Sequence, residues 1–104
     1  MPQYDVIYDA DVLHHLAMIE RKYHSLIRET ITLQLSTEPR VTTRNRKPLR
    51  SPAKSGADWE LRLGPDNRFR VFYRIDVTRQ LVVILAIGVK VRNRLFIGGE
   101  EIQL

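Results

Sequence analysis

The stretch DWELRLGPDNRFRVFYRID, residues 58–76, leaves the chain the least choice of structure. Trp59, Leu61 and Leu63 alternate with Glu60 and Arg62, and Gly64, Pro65, Asp66 and Asn67 then turn the chain. Phe69, Val71, Tyr73 and Ile75 follow, alternating with Arg68, Arg70, Phe72 and Arg74. Successive side chains of a strand point to opposite faces, so the pattern predicts a hairpin with one apolar and one basic face. The apolar face must be covered, and the residues upstream can cover it.

Residues 3–8 (QYDVIY) read as a short strand, in which Tyr4, Val6 and Tyr8 alternate with Asp5 and Ile7. Asp9 or Asp11 can cap a helix reaching to about residue 23, in which Val12, Leu16, Ile19 and Tyr23 recur at helical spacing beside Leu13. Ser25 can cap a second helix striped by Ile27, Ile31 and Leu35, with Leu26 adjoining, and Pro39 marks its end. So short a connection predicts a helical hairpin. Downstream, residues 81–87 are apolar on both faces, as in a central strand. Beyond Gly88, Lys90, Arg92 and Arg94 alternate with Val89, Val91 and Leu95, and the tail FIGGEEIQL is too short for a long final helix. The predicted order is β-α-α-β-β-β: one α+β domain over residues 1–104, a small, mostly antiparallel sheet with an N-terminal helical hairpin on one face. Arg62, Arg68, Arg70, Arg74 and Phe72 are expected on the other.

With 104 residues the chain can build one core. It has no cysteine, which excludes disulfides and thiolate zinc sites and permits a reducing compartment. Its longest apolar run, residues 81–89, falls far below the about 20 residues of a membrane-spanning helix. The acidic N-terminus lacks the order of a signal peptide, so a soluble cytoplasmic domain with no membrane association is expected. The net charge of +5 is unevenly spread: residues 1–39 carry three basic and six acidic groups, residues 40–104 fourteen basic and six acidic. That split predicts a polyanionic partner. Residues 40–54 contain no acid, two prolines and Arg40, Arg44, Arg46, Lys47, Arg50 and Lys54. This segment reads as a loop or irregular edge able to meet phosphates or an acidic protein segment. His14 and His15 are adjacent, so they point about 100° apart on a helix, and they form no metal pair. No metal or cofactor is expected.

Three segments together carry a family likeness: Trp59-Glu60-Leu61-Arg62-Leu63, Arg68-Phe69-Arg70-Val71-Phe72-Tyr73, and residues 84–94 with Gly88 followed by Lys90, Arg92 and Arg94. With the N-terminal strand and helical hairpin, the chain resembles the RelE/ParE superfamily of toxins from type II toxin–antitoxin systems over nearly its whole length. The resemblance implies a small RelE-like α+β toxin neutralised by a cognate antitoxin. RelE-like members cleave mRNA on the ribosome; ParE-like members poison DNA gyrase and are not nucleases. In the RelE-like branch a ribose 2′-hydroxyl attacks the adjacent phosphate, assisted by lysines, arginines and a C-terminal tyrosine. Arg70 matches the phosphate-stabilising arginine of the second hairpin strand, Arg62 a basic position on the first, and Lys90 the position just after the glycine. Two positions depart from that pattern. Glu60 replaces a second basic residue, and Phe96 replaces the tyrosine and can stack on a base without giving a proton.

The chemistry itself needs a base at the 2′-hydroxyl, an acid at the leaving oxygen and positive charge on the phosphorane. Arg62 and Arg70 can supply the charge, since a planar guanidinium fits two phosphate oxygens. Lys90 is the group able to exchange a proton, given cationic neighbours that favour its neutral form. Arg68, Arg74, Arg92, Arg94 and Phe96, with Arg44, Arg46, Lys47 and Arg50 from the loop, are the expected nucleic-acid contacts. Binding alone, as a gyrase inhibitor or a degenerate binding-only member, is the competing expectation. Two helices cover only one face of a sheet, so Val82, Ile84, Ala86 and Phe72 are expected to leave an apolar strip. Either an antitoxin or a second copy of the chain would fill it.

Overall fold

The computed structural model describes residues 3–103; Leu104, the end of the tail considered above, lies outside the described residues. Seven strands form one sheet: β1 (Asp5–Tyr8), β2 (Arg46–Pro48), β3 (Trp59–Leu63), β4 (Phe69–Asp76), β5 (Leu81–Val91), β6 (Arg94–Ile97) and β7 (Glu100–Ile102). Two helices, α1 (Asp11–Ala17) and α2 (His24–Leu35), lie between β1 and β2. The sheet runs β2-β3-β4-β5-β6-β7, antiparallel throughout. β1 joins β5 in parallel, Asp5 beside Leu81 and Tyr8 beside Ile84. The fold is therefore α+β with a mostly antiparallel sheet, as the alternation predicts, and gains three short strands.

β2 is the edge piece of the basic loop. β6 and β7 come from the tail, where Ile97 faces Glu100 across Gly98 and Gly99. Both glycines have positive φ, +61° and +84°, the conformation a two-residue hairpin turn demands and glycine adopts without a steric penalty. The first helix is shorter than its periodicity predicts. It ends at Ala17, and Arg21–Tyr23 form a separate 3-10 turn before α2. Neither helix has a side-chain cap at its first flanking residue; the Asp9 carboxylate instead accepts the N–H of Asp11, the first residue of α1, at 3.1 Å.

The helices close one face of the sheet. Ile27, Ile31 and Leu35 of α2 and Val12 of α1 join Leu61, Leu63, Phe69, Val71, Tyr73, Val82, Ile84 and Ile87 in the main core. The striped residues of α2 sit one turn apart, and they are the ones buried. Trp59 stacks on Tyr73 at 6.0 Å between centroids, and the Tyr73 hydroxyl donates to the Pro39 carbonyl at 2.9 Å. Burial pushes that phenol well above its usual pKa.

β5 carries a bulge that decides what faces where. Phe72 pairs with Ala86 but Tyr73 with Ile84, so Leu85 is the extra residue. The bulge reverses the phase of the strand. Val82 and Ile84 belong to the helix face before it, and Ile87 and Val89 after it. Ala86, Gly88 and Lys90 accordingly fall on the opposite, open face with Phe72 and Arg70.

This corrects the expected apolar strip. Val82 and Ile84 lie in the helix-covered core, both fully buried. Phe72 and Ala86 do share the open face, but the chain covers them itself: Leu49, Ala53 and Ala57 of the segment after β2 pack on them together with Leu85, Leu95 and Ile97. That segment is fixed by Leu49 N–H to the Asp58 carbonyl and Ala53 N–H to the Ala57 carbonyl, each at 2.8 Å. The four residues expected to meet an antitoxin are therefore internal, and the same strip offers no surface for a homodimer.

Candidate functional site

The open face gathers charge where the hairpin needs it least. Arg62 and Arg70 are directly opposite across β3 and β4, and Gly88 lies opposite Arg70 on β5. Like charges so placed repel. Glu60, two residues before Arg62 on the same face, resolves the conflict. Its Oε1 accepts the Arg62 Nε–H at 3.1 Å, and its Oε2 lies 3.7 Å from the Arg70 Nη1. One carboxylate thus bridges two guanidinium groups, one oxygen to each.

The three side chains are unequally open to solvent. Those of Glu60 and Arg70 are 9% and 10% exposed, that of Arg62 33%. Arg70 is also tied to the backbone, its Nε donating to the Asn67 carbonyl at 3.0 Å. That carbonyl is delivered by the turn before β4, where Asp66 and Asn67 have φ of 55° and 51°. Short polar side chains tolerate this left-handed conformation better than most. Burial, with Arg62 adding to it and Glu60 opposing it, holds the Arg70 guanidinium below its ordinary pKa, although an arginine remains protonated. Gly88 keeps the floor flat: a β-carbon there would lie 2.9 Å from Leu95 Cδ1 and 3.0 Å from Ile97 Cγ1.

Lys90 stands two residues beyond Gly88 on the same face, a diagonal neighbour of Arg70 at about 7–8 Å between α-carbons. Lys47 lies directly across β2 and β3 from Glu60. Arg74, exposed, continues the row along β4. Five of the residues predicted from sequence are therefore brought onto one face: Arg62, Arg70, Lys90, Lys47 and Arg74.

The others are placed elsewhere. Arg46 pairs with Leu61, which turns its side chain to the helix face; it is 5% exposed, and its Nη1 donates to the Gln34 carbonyl in the last turn of α2. There it serves the helix C-terminus, where a cation is favoured, and is withdrawn from nucleic acid. Arg68 lies over the rings of Tyr23 and Phe69, at 5.6 and 5.9 Å from their centroids, again on the helix side. Arg94 pairs with Glu101 at 3.8 Å. Phe96 is opposite Val89, so it too falls on the helix face, beside Met18 in a cleft under α1. It cannot stack on a base held by Arg70. Arg92 sits in the β5–β6 turn with φ 58°, and Arg44 and Arg50 are exposed in the loop.

Glu60 is the member of the site that the family pattern reads as a departure. Its signal was in the alternation: an acid on a basic face, flanked by an arginine two residues on. His15 is also more engaged than its sequence position indicates. Along one edge of β5, β1 ends beside Ile84 and β6 ends beside Gly88. His15 Nδ1 fills the gap by accepting the Ile87 N–H at 3.2 Å, and burial lowers its pKa. Among the described residues no group of three or more His, Cys, Asp or Glu is placed to hold a metal, and no helix is long and apolar enough to cross a membrane. A cleft of about 410 Å³ opens on the helix side, lined by Tyr8, Val12, Leu13, Leu16 and Arg28 among others, away from the arginine pair.

No protein-family model matches the chain, and no curated protein matches it. Among solved structures, it is similar to a chain of the toxin–antitoxin complex RelBE2 from Mycobacterium tuberculosis. Identity is 28%, the TM-score 0.69, and the match covers 86% of this chain and 94% of that one. The open arginine face is thus carried on a RelE-like α+β fold, shared with a component of a toxin–antitoxin complex.

Proposed function

We propose that this protein is the toxin of a type II toxin–antitoxin system, acting in the cytoplasm as an mRNA-cleaving, ribosome-associated endoribonuclease and neutralised by a cognate antitoxin. The observation that carries this reading is the opposed pair Arg62 and Arg70 on the open face, with Lys90 diagonal to Arg70. Two guanidinium groups suit the two non-bridging oxygens of one phosphodiester and the charge that builds on them in a phosphorane. The ribose 2′-oxygen forms a bond to phosphorus as the bond to the 5′-oxygen breaks. Lys90, on the same face, is the group whose chemistry allows it to move a proton between the two. The likeness to a chain of RelBE2 supports both the toxin reading and an antitoxin partner.

A second reading, a toxin that acts by binding gyrase, draws on one observation. Among the described strand residues of the open face none is a histidine or tyrosine, so beside Lys90 there is no second proton carrier of the kind the nuclease branch uses. One experiment separates the two. After induced expression without the partner, mapping of mRNA 5′ ends is expected to reveal new ends within codons, with gyrase supercoiling unaffected by the purified protein. Intact mRNA during growth arrest, with supercoiling inhibited, would overturn the nuclease reading in favour of the second.

A further inference from the structure

In the structure the arginine pair is already satisfied by an anion. Glu60 offers one oxygen to Arg62 and the other to Arg70, the same two-oxygen face a phosphodiester would present. A phosphate reaching this pair must therefore displace Glu60 or meet a site whose positive charge is halved. Glu60 cannot simply be left without a counter-ion, because an isolated carboxylate away from water is strongly disfavoured.

The sheet register offers it another partner. Lys47 is directly opposite Glu60 across β2 and β3, where facing β-carbons are about 4.5–5.5 Å apart. In the structure the Lys47 side chain is exposed and forms no ion pair with Glu60. A lysine stem of four carbons spans that separation with ease. Arg70, by contrast, is held in place independently of Glu60 by its bond to the Asn67 carbonyl. The pair therefore has a fixed arm, Arg70, and a more open arm, Arg62, whose Nε depends on Glu60.

We propose that Glu60 is a built-in counter-ion that phosphate displaces, passing from the Arg62–Arg70 pair to Lys47 when a phosphodiester binds. Glu60 and Lys47 are positioning residues in this scheme; neither touches the nucleic acid. The exchange leaves Glu60 and the two arginines with a partner of opposite charge in both states. It also makes the site selective: a single weak anion gains little by replacing a carboxylate already in place, whereas a polynucleotide held elsewhere on the basic surface can complete the swap. The proposal rests on the reading of this face as a phosphodiester site but not on cleavage.

The test uses the whole protein and a 2′-O-methyl RNA oligonucleotide, which binds but cannot be cut. Lys47→Ala is expected to weaken binding about tenfold in the wild-type background and to have almost no effect in Glu60→Gln, which itself binds more tightly than wild type. A lysine that met phosphate directly would lose the same affinity in both backgrounds, and that result would overturn the exchange. Should Glu60→Gln fail to fold, the wild-type arginine Nε–H resonances give a second readout. RNA is expected to shift the Arg62 signal strongly and to leave that of Arg70 nearly unmoved; equal shifts, or none, would also refute the proposal. Cleavage by wild-type protein with additive Lys47 and Glu60 effects would discard the exchange and keep the nuclease. Non-additive binding without cleavage of ordinary mRNA would do the reverse.

Discussion

On the helix side of the sheet, Leu61, Val71, Ile84 and Ile87 are closed off by Ile27, Ile31 and Leu35, and Arg46 is admitted there only beneath the end of α2. On the other side, Phe72 and Ala86 are closed by the chain's own residues 49–57, while the neighbouring rows carry Glu60, Arg62, Arg70 and Lys90. The two faces belong to the same strands and differ by one residue of phase. Burial is nearly as complete at Arg70 as at Leu61, yet one is held by shape and the other by charge. Packing of the first kind tolerates no loss of volume. Packing of the second kind tolerates exchange of one anion for another, which is what a binding site requires.

Substitutions on the two faces should therefore separate stability from function. Leu61→Ala on the helix side is expected to lower stability by about 2–5 kcal/mol in urea unfolding, with activity lost only as far as the folded fraction falls. Arg70→Ala on the open side is expected to stay folded and lose about 100- to 1,000-fold in cleavage rate, equivalent to about 2.7–4 kcal/mol in the transition state. A folded Arg70→Ala protein with wild-type activity would place the chemistry elsewhere. Between these lies Arg46, a cation on the apolar side. Arg46→Met should cost about 1–3 kcal/mol of stability by stripping the Gln34 carbonyl of its partner, and leave the salt dependence of RNA binding unchanged. Arg74→Ala should do the opposite, changing unfolding by less than about 0.5 kcal/mol while flattening the salt dependence.

The smallest effect is expected at His15. Its folded pKa is lowered, chiefly by burial, so the native protein binds fewer protons there than the unfolded chain. That contribution to stability is complete above the ordinary imidazole value of about 6.5 and is lost as pH falls through the folded value. Urea midpoints measured from pH 8 to pH 5 should fall further for wild type than for His15→Gln. Identical profiles would mean that the Ile87 N–H bond does not sense protonation.

Much of this architecture could be read from alternation alone. The hairpin of β3 and β4 was legible because strict period-two patterning on both strands leaves one register that buries every apolar residue. The helical stripe of Ile27, Ile31 and Leu35 was legible for the same reason at a different period. Strand β5 was not, because periodicity cannot reveal a bulge in a run that is apolar on both faces. Counting even positions put Val82, Ile84 and Ala86 together, whereas Leu85 separates them. The basic residues divided similarly. Arg62 and Arg70 lie inside a patterned segment, and their face followed. Arg46 lies in a loop without a pattern, and only its pairing with Leu61 turned it inward. Arg68, between the hairpin's turn and β4, follows the turn rather than the strand.

The parallel pairing of β1 with β5 has a consequence for how the protein comes into being. Asp5 finds its place beside Leu81, and the edge of β5 that β1 begins is finished by β6, near the end of the chain. β1 must wait for β5, which follows it only after both helices and the β3–β4 hairpin. Closing so long a loop yields little until β5 exists, so folding should be limited by topology and slow among domains of this size. During synthesis on the ribosome, β1 has no strand partner until β5 has emerged, whereas the arginine pair on the adjacent strands β3 and β4 needs no such wait.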